Sequence, residues 1–224
     1  MKHIEVTGDE RTLTFCAYCG APPVTRDHVP PKALLDKPYP DNLPVVGACA
    51  SCNAGFSADD QYLACLLECT IHGSVAPEQL SREQVRRTLA SRPAIRARLA
   101  AAQVRTDERS AFRAEVDRVN RMIQRLGQGH AMYELHCIQH EPPLYVVFAP
   151  FCLMTSEERA SFETPPEPSL LPEVGSRGLT RVVDEGFGWV EVQAGRYRYL
   201  AWCGPGVHVR MAISEYLACE VCWQ

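Results

Sequence analysis

The chain has no uninterrupted apolar stretch of membrane-spanning length, no internal repeat and no excess of positive charge. The first absence argues against a transmembrane helix, which needs about 20 consecutive apolar residues. The second argues against a repeat array. A formal charge of −4 argues against a protein that coats nucleic acid through its overall charge. Met1 to Thr14 mixes Lys2, Glu5, Asp9, Glu10 and Arg11, which is not the pattern of a secretory leader, so a cytosolic address is expected. What remains is ordinary for a soluble globular protein, with 46% hydrophobic and 22% charged residues. A length of 224 residues suffices for one generous domain or two small ones with a real core.

Cysteine, by contrast, is abundant, at eleven residues. A reducing compartment disfavours disulfides, so these thiols need another explanation. Cys16/Cys19 and Cys49/Cys52 form two C-x-x-C pairs around a 29-residue insert. Four thiolates suffice for a closed tetrahedral zinc site, which leaves no open position for substrate and is therefore structural. Such a site staples a segment too poor in apolar residues to fold firmly alone. The others (Cys65, Cys69, Cys137, Cys152, Cys203, Cys219 and Cys222) sit among apolar neighbours and are expected to pack as small hydrophobes. Cys219 and Cys222 are also spaced C-x-x-C. They lie in a strand-like run with no second pair nearby, which favours core packing over metal.

Three segments follow from the patterning. Residues 1–75 hold the cysteine pairs, with short strands and proline-marked turns, and then a helical pattern through Tyr62, Leu63, Leu66, Leu67 and Cys69. Residues 76–140 read as helices, broken at Ser91-Arg92-Pro93. Phe112, Val116, Val119, Ile123 and Leu126 make one apolar seam there, and Gly127 and Gly129 either end that helix or weaken it. From Arg82 to Arg125 there are twelve arginines against five acidic residues, a local charge of +7. Residues 141–224 are β-like. An apolar run lies at 144–148, a helix start at Thr155-Ser156-Glu157-Glu158, a proline-rich loop at 164–172, and strands at 188–193, 196–202, 207–213 and 216–223. Val207, Val209, Met211 and Ile213 alternate with His208, Arg210 and Ala212, as one buried face requires.

The reactive candidates lie inside the cysteine frame. Asp27-His28 is followed by Val29-Pro30-Pro31, where an extended segment turns. Asp27 offers a hard oxygen suited to magnesium or manganese. His28, with an ordinary pKa near ~6.5, is a neutral base at physiological pH. Asn53, directly after the last cysteine, begins a helix and offers an amide oxygen. Asn42 is placed to brace the hairpin by bonding to backbone.

This ordered set, C-x-x-C, D-H-x-x-P, N-L and C-x-x-C-N, resembles the HNH nucleases of the ββα-metal superfamily in their zinc-containing treble-clef form, over about a fifth of the chain. The resemblance implies an α+β protein with a zinc-stapled ββα-metal module, a helical middle segment and an antiparallel β-rich C-terminal region. By the same resemblance, Asp27 and Asn53 are the ligands of a catalytic Mg²⁺ or Mn²⁺, His28 is the general base and Asn42 the hairpin brace. The implied activity is hydrolysis of nucleic-acid phosphodiester bonds, with DNA the favoured substrate and no membrane partner. One position departs from the family: the Lys or Arg often found three residues after the last ligand is Phe56 here, leaving phosphate contact to Lys32, Arg26 or the Arg-rich helices. Asp59 and Asp60 either add a carboxylate to the metal or favour the helix's first turn through its dipole, the second being preferred.

Two other readings stay open. The acidic total charge and Phe56 suit a non-catalytic zinc treble clef that binds nucleic acid or a protein. The β-rich C-terminal region, whose Trp189, Tyr197, Tyr199, Trp202, Tyr216 and Trp223 favour core or interface packing, is a candidate surface for a protein partner or oligomer contact. His72, His130, His136, His140 and His208 have no partners at recognisable spacing and are expected to be structural or surface residues.

Overall fold

The computed structural model describes residues 9–105, 110–167 and 169–224. Residues 1–8, Asp107, Glu108 and Arg109 of the Arg-rich segment and Pro168 of the proline-rich loop lie outside them. The fold is mixed α+β, with six α-helices and antiparallel sheets among the described residues. No helix there is long and apolar enough to cross a membrane.

A two-stranded hairpin comes first. β1 (Thr25–His28) pairs antiparallel with β2 (Val45–Ala48), placing Asp27 opposite Val46 and His28 opposite Val45. α1 (Ala50–His72) follows with Cys49 as its N-cap, and ends at Gly73, whose left-handed φ of 65° lets its N–H return to the Cys69 and Thr70 carbonyls. The second half of α1 is buried all round from Tyr62 to Cys69, so it is a core helix and not an amphipathic surface one. α2 (Glu83–Ser91) and α3 (Pro93–Ala102) break at the expected place, with Pro93 in the first turn of α3. A small antiparallel pair, β3 (Gln103–Arg105) and β4 (Ser110–Phe112), interrupts the expected run of helices and takes Phe112 out of the seam.

α4 (Val116–Leu135) is the central element and runs straight through Gly127 and Gly129. These glycines are required by close packing on two sides. Residues two apart on a helix point in nearly opposite directions. A Cβ on Gly127 would meet Val221 and lie 2.9 Å from Trp223, whereas one on Gly129 would lie 2.6 Å from Val29. The helix is thus pressed between the hairpin and the C-terminal sheet. That sheet has the order β5-β9-β8-β7-β6, all antiparallel, from β5 (Tyr145–Pro150), β6 (Val190–Gln193), β7 (Tyr197–Cys203), β8 (Val207–Ile213) and β9 (Leu217–Trp223). α5 (Ser156–Glu163) begins with a capping box from Thr155 and Glu158 and covers part of the sheet's second face. Ala212 is therefore buried along with Val209, Met211 and Ile213, and the expected alternation is incomplete. α6 (Arg177–Glu185), capped by Ser176, was not expected from the patterning. Its Arg181 reaches Glu134 of α4 at 2.7 Å.

One contiguous core collects residues from Cys16 to Trp223, drawing on all three sequence segments. Cys65, Cys69, Cys219 and Cys222 are buried in the described structure, and Cys137 and Cys203 partly so. Cys152 departs from expectation: it is exposed in the turn after β5. His130 is fully buried, stacked on Tyr199 at 3.8 Å and bonded to Tyr197 at 2.9 Å, and burial brings its pKa down to about 3, so it is a neutral core residue.

The two kinds of glycine separate in a stability measurement. Gly127→Ala is expected to cost about 1–3 kcal/mol by overpacking against Val221 and Trp223. Gly55→Ala, on an open face of α1, is expected to gain roughly 0.5–1 kcal/mol. Urea denaturation of the two variants checks both signs.

Candidate functional site

The cysteine frame closes as its spacing requires. The sulfurs of Cys16, Cys19, Cys49 and Cys52 all lie within 4.8 Å of one another, and Cys19 and Cys49 are 3.7 Å apart. A tetrahedron with Zn–S bonds of about 2.3 Å has edges of about 3.8 Å, so the four sulfurs stand close enough to hold a zinc ion. Cys49 sits at the N-cap of α1. The Ser51 hydroxyl at 3.1 Å and the Cys52 amide at 3.4 Å stabilise its thiolate and bring its pKa down to about 6.

Beside the frame, strand alternation sorts the candidates. Thr25 and Asp27 point to one face of β1, Arg26 and His28 to the other. The inner face meets α1. Thr25 Oγ1 donates to the Ala48 carbonyl at 2.9 Å, so its lone pairs accept from Asn53 Nδ2 at 3.1 Å. That chain orients the Asn53 amide: its NH₂ faces the hairpin and its oxygen is turned away from Thr25. Asp27, one step along the same face, is 9% exposed. Its Oδ2 accepts from the Tyr18 hydroxyl at 2.7 Å and from the Arg125 guanidinium at 3.2 Å. Both contacts fall on one oxygen, and a carboxylate has two. Burial beside Asp27 pushes the Tyr18 phenol well up, so it stays a donor.

Arg125, from α4, is the residue the sequence patterning does not single out. It is 3% exposed, bridges Asp27 to Asp60 of α1, and lies 4.4 Å from the Phe56 ring centre. Phe56 in turn meets Tyr18 edge-on at 4.9 Å. A cation thus stands over the Phe56 ring, and it arrives from another helix. Asp59 is paired with Arg118, one helical heptad before Arg125. The preferred dipole role for Asp59 and Asp60 gives way to these pairings, because α1 starts at Ala50 and has no acidic residue in its first turn. Three carboxylates (Asp27, Asp59 and Asp60) face three guanidiniums: Arg125, Arg118 and, 3.9 Å from Asp59, Arg121. Burial, against the pull of Arg125, raises Asp60 to about 6, with Asp27 and Asp59 adding to the rise.

On the outer face, His28 is half-buried. Its Nδ1 is buried without a partner among the described residues, which leaves Nε2 as the nitrogen to exchange a proton. Burial first, and then Lys32, lowers its pKa, with Asp27 opposing. Arg26 and Lys32 are exposed on this side. Asn42, half-buried, occupies the turn before β2.

Loading should give one zinc per chain by elemental analysis, and Cys19→Ser should lose that stoichiometric metal. Arg125→Met leaves two buried carboxylates uncompensated and is expected to lower stability by about 3–5 kcal/mol at pH 7. The folded chain binds the Asp60 proton more tightly than the unfolded chain, so stability from this group rises as pH falls through about 6. The deficit of Arg125→Met should accordingly shrink at pH 5, as read by urea titrations at both pH values.

Comparison with family models, curated proteins and solved structures finds no match to this chain, so its chemistry is read from these residues alone.

Proposed function

We propose that the protein is a metal-dependent HNH-type endonuclease of the zinc-containing treble-clef kind, acting on nucleic acid and on DNA by preference. One observation carries the reading. Asp27 on β1 and Asn53 in the first turn of α1 both pack at the inner face of the hairpin beside the four-cysteine frame, and His28 adjoins Asp27 in the chain.

His28 is held neutral by its surroundings and takes a proton at Nε2 from the attacking water. Tyr18 and Arg125 fix the Asp27 carboxylate, and Thr25 fixes the Asn53 amide, so both groups are oriented before any ligand arrives. A divalent ion held by Asp27 and Asn53 would supply charge stabilisation at the phosphate and the leaving oxygen. Arg26 and Lys32 offer exposed positive charge beside His28 for the backbone.

The test is plasmid nicking by zinc-loaded protein with added Mg²⁺ or Mn²⁺. His28→Ala is expected to lower the rate by about 10²–10⁴-fold, and Asp27→Asn to weaken the Mn²⁺ requirement curve. The acid limb of the rate profile should lie below the ordinary histidine value of ~6.5, because burial and Lys32 both disfavour the imidazolium. Nicking that survives His28→Ala unchanged would sink the assignment.

One observation favours a second reading, a non-catalytic zinc module. Asp27 already pairs with a guanidinium, as a purely structural carboxylate would. That reading gives salt-sensitive binding with no metal-dependent cleavage, and binding indifferent to Asn53→Ala.

A further inference from the structure

A second cleft opens away from the zinc frame. It has a volume of about 870 Å³ and lies between the Asp36–Tyr39 loop and α2, with Arg196 at its edge. Its lining carries five cationic side chains against two carboxylates, a net of +3 in a chain whose total is −4.

These cations divide into two sets. Arg82 is 4% exposed and is committed to Asp36 and to the Ala33 and Leu35 carbonyls. Arg196 is likewise committed to Asp36. Together with Gln193, which accepts from the Asp36 N–H at 2.8 Å and donates to the Asp36 carbonyl at 2.9 Å, they make a rigid wall. The other set faces solvent. Lys37 and Arg92 are exposed and make no ion pair among the described residues, and Arg87 is 78% exposed with one contact to Glu83.

The cleft's Tyr39 and Lys37 neighbour Lys32 of the candidate site. Lys32, four residues after His28 in the chain, stands 5.6 Å from the Tyr39 ring centre, and Lys37 stands 6.0 Å from the same ring. The Tyr39 hydroxyl donates to Gln84 of α2 at 3.2 Å, which fixes the ring between the two lysines. Exposed cations thus run from Lys32 past Tyr39 and Lys37 to Arg87 and Arg92 along a fixed wall.

We propose that this cleft is a backbone track for nucleic acid, with Lys32, Lys37, Arg87 and Arg92 taking successive phosphates on one side of the cleavage position. Fixed wall and free cations are the arrangement that neutralises a polyanion without reading its bases. The choice of nucleic acid over an acidic peptide rests on the nuclease reading, because Lys32 follows His28 by four residues.

The test uses the full zinc-loaded chain without added Mg²⁺ or Mn²⁺ and a fluorescein-labelled 20-base-pair DNA, read by anisotropy across a salt series. Lys37→Glu/Arg92→Glu is expected to weaken binding at least tenfold. It should also flatten the slope of log K against log salt by about 2, since each phosphate contact contributes close to one. Arg159→Glu, the same kind of charge change on exposed α5, is expected to leave both unchanged. Zinc content and circular dichroism confirm folding, which the exposed positions should not disturb. Equal loss in Arg159→Glu, an unchanged slope in the double variant, or polyglutamate competing as well as DNA would each overturn the track. Binding lost in the double variant from a wild type that never nicks DNA would leave the track standing and remove the nuclease. Nicking by a double variant with unaltered affinity would do the reverse.

Discussion

A single guanidinium ties the three parts of the candidate site together. Arg125 leaves α4, crosses the Phe56 ring, and ends between the carboxylates of Asp27 on β1 and Asp60 on α1. Charge buried at 3% exposure is tolerated only when it is paired and hydrogen-bonded. The pairing therefore fixes where α4 sits relative to the hairpin, and with it the angle at which α1 departs from Cys49. The two glycines of α4 serve the same end by steric means: they let the helix close on Val29 on one side and on Val221 and Trp223 on the other. Helix position is set by a bond at one point and by contact at two others.

Two kinds of fixity coexist around Asp27. The thiolate frame holds the loops at the base of the hairpin, while neutral and charged donors hold the carboxylate and amide oxygens themselves. The Asp27 carboxylate and the Asn53 amide thus owe their orientation to Tyr18, Arg125 and Thr25. Tyr18 is the clearest case. It lies between the two cysteines of the first knuckle, and its phenol reaches Asp27. The zinc frame and the candidate acid site thus share a structural member.

What the sequence made legible was whatever repeats locally. The two cysteine pairs, the break before Pro93, the capping box at Thr155 and the glycine-punctuated strands of the last third all follow from spacing within a few residues. Arg125 was hidden because its partners lie 98 and 65 residues away. A signal was nonetheless present: Asp59-Asp60 on one helix and Arg118 and Arg125, a heptad apart, on another are complementary faces. The strand pair around residues 106–109 has only three residues a side, too few for alternation to register. Gly127 and Gly129 read as helix breakers because propensity is local, whereas close approach of a neighbouring element is not. Asp27 and His28 fell on opposite faces of one strand, which period two alone dictates.

The clamp between Gln193 and the Asp36 loop joins positions 157 apart in the chain. During synthesis, the wall beside Tyr39 has nothing to lean on until the fourth-from-last stretch of sheet has left the ribosome. Contacts of such long span are closed late and slowly, since loop closure must precede their reward. The Asp36 loop therefore waits on Gln193, 157 positions further along the chain, before the wall beside its cationic row is complete.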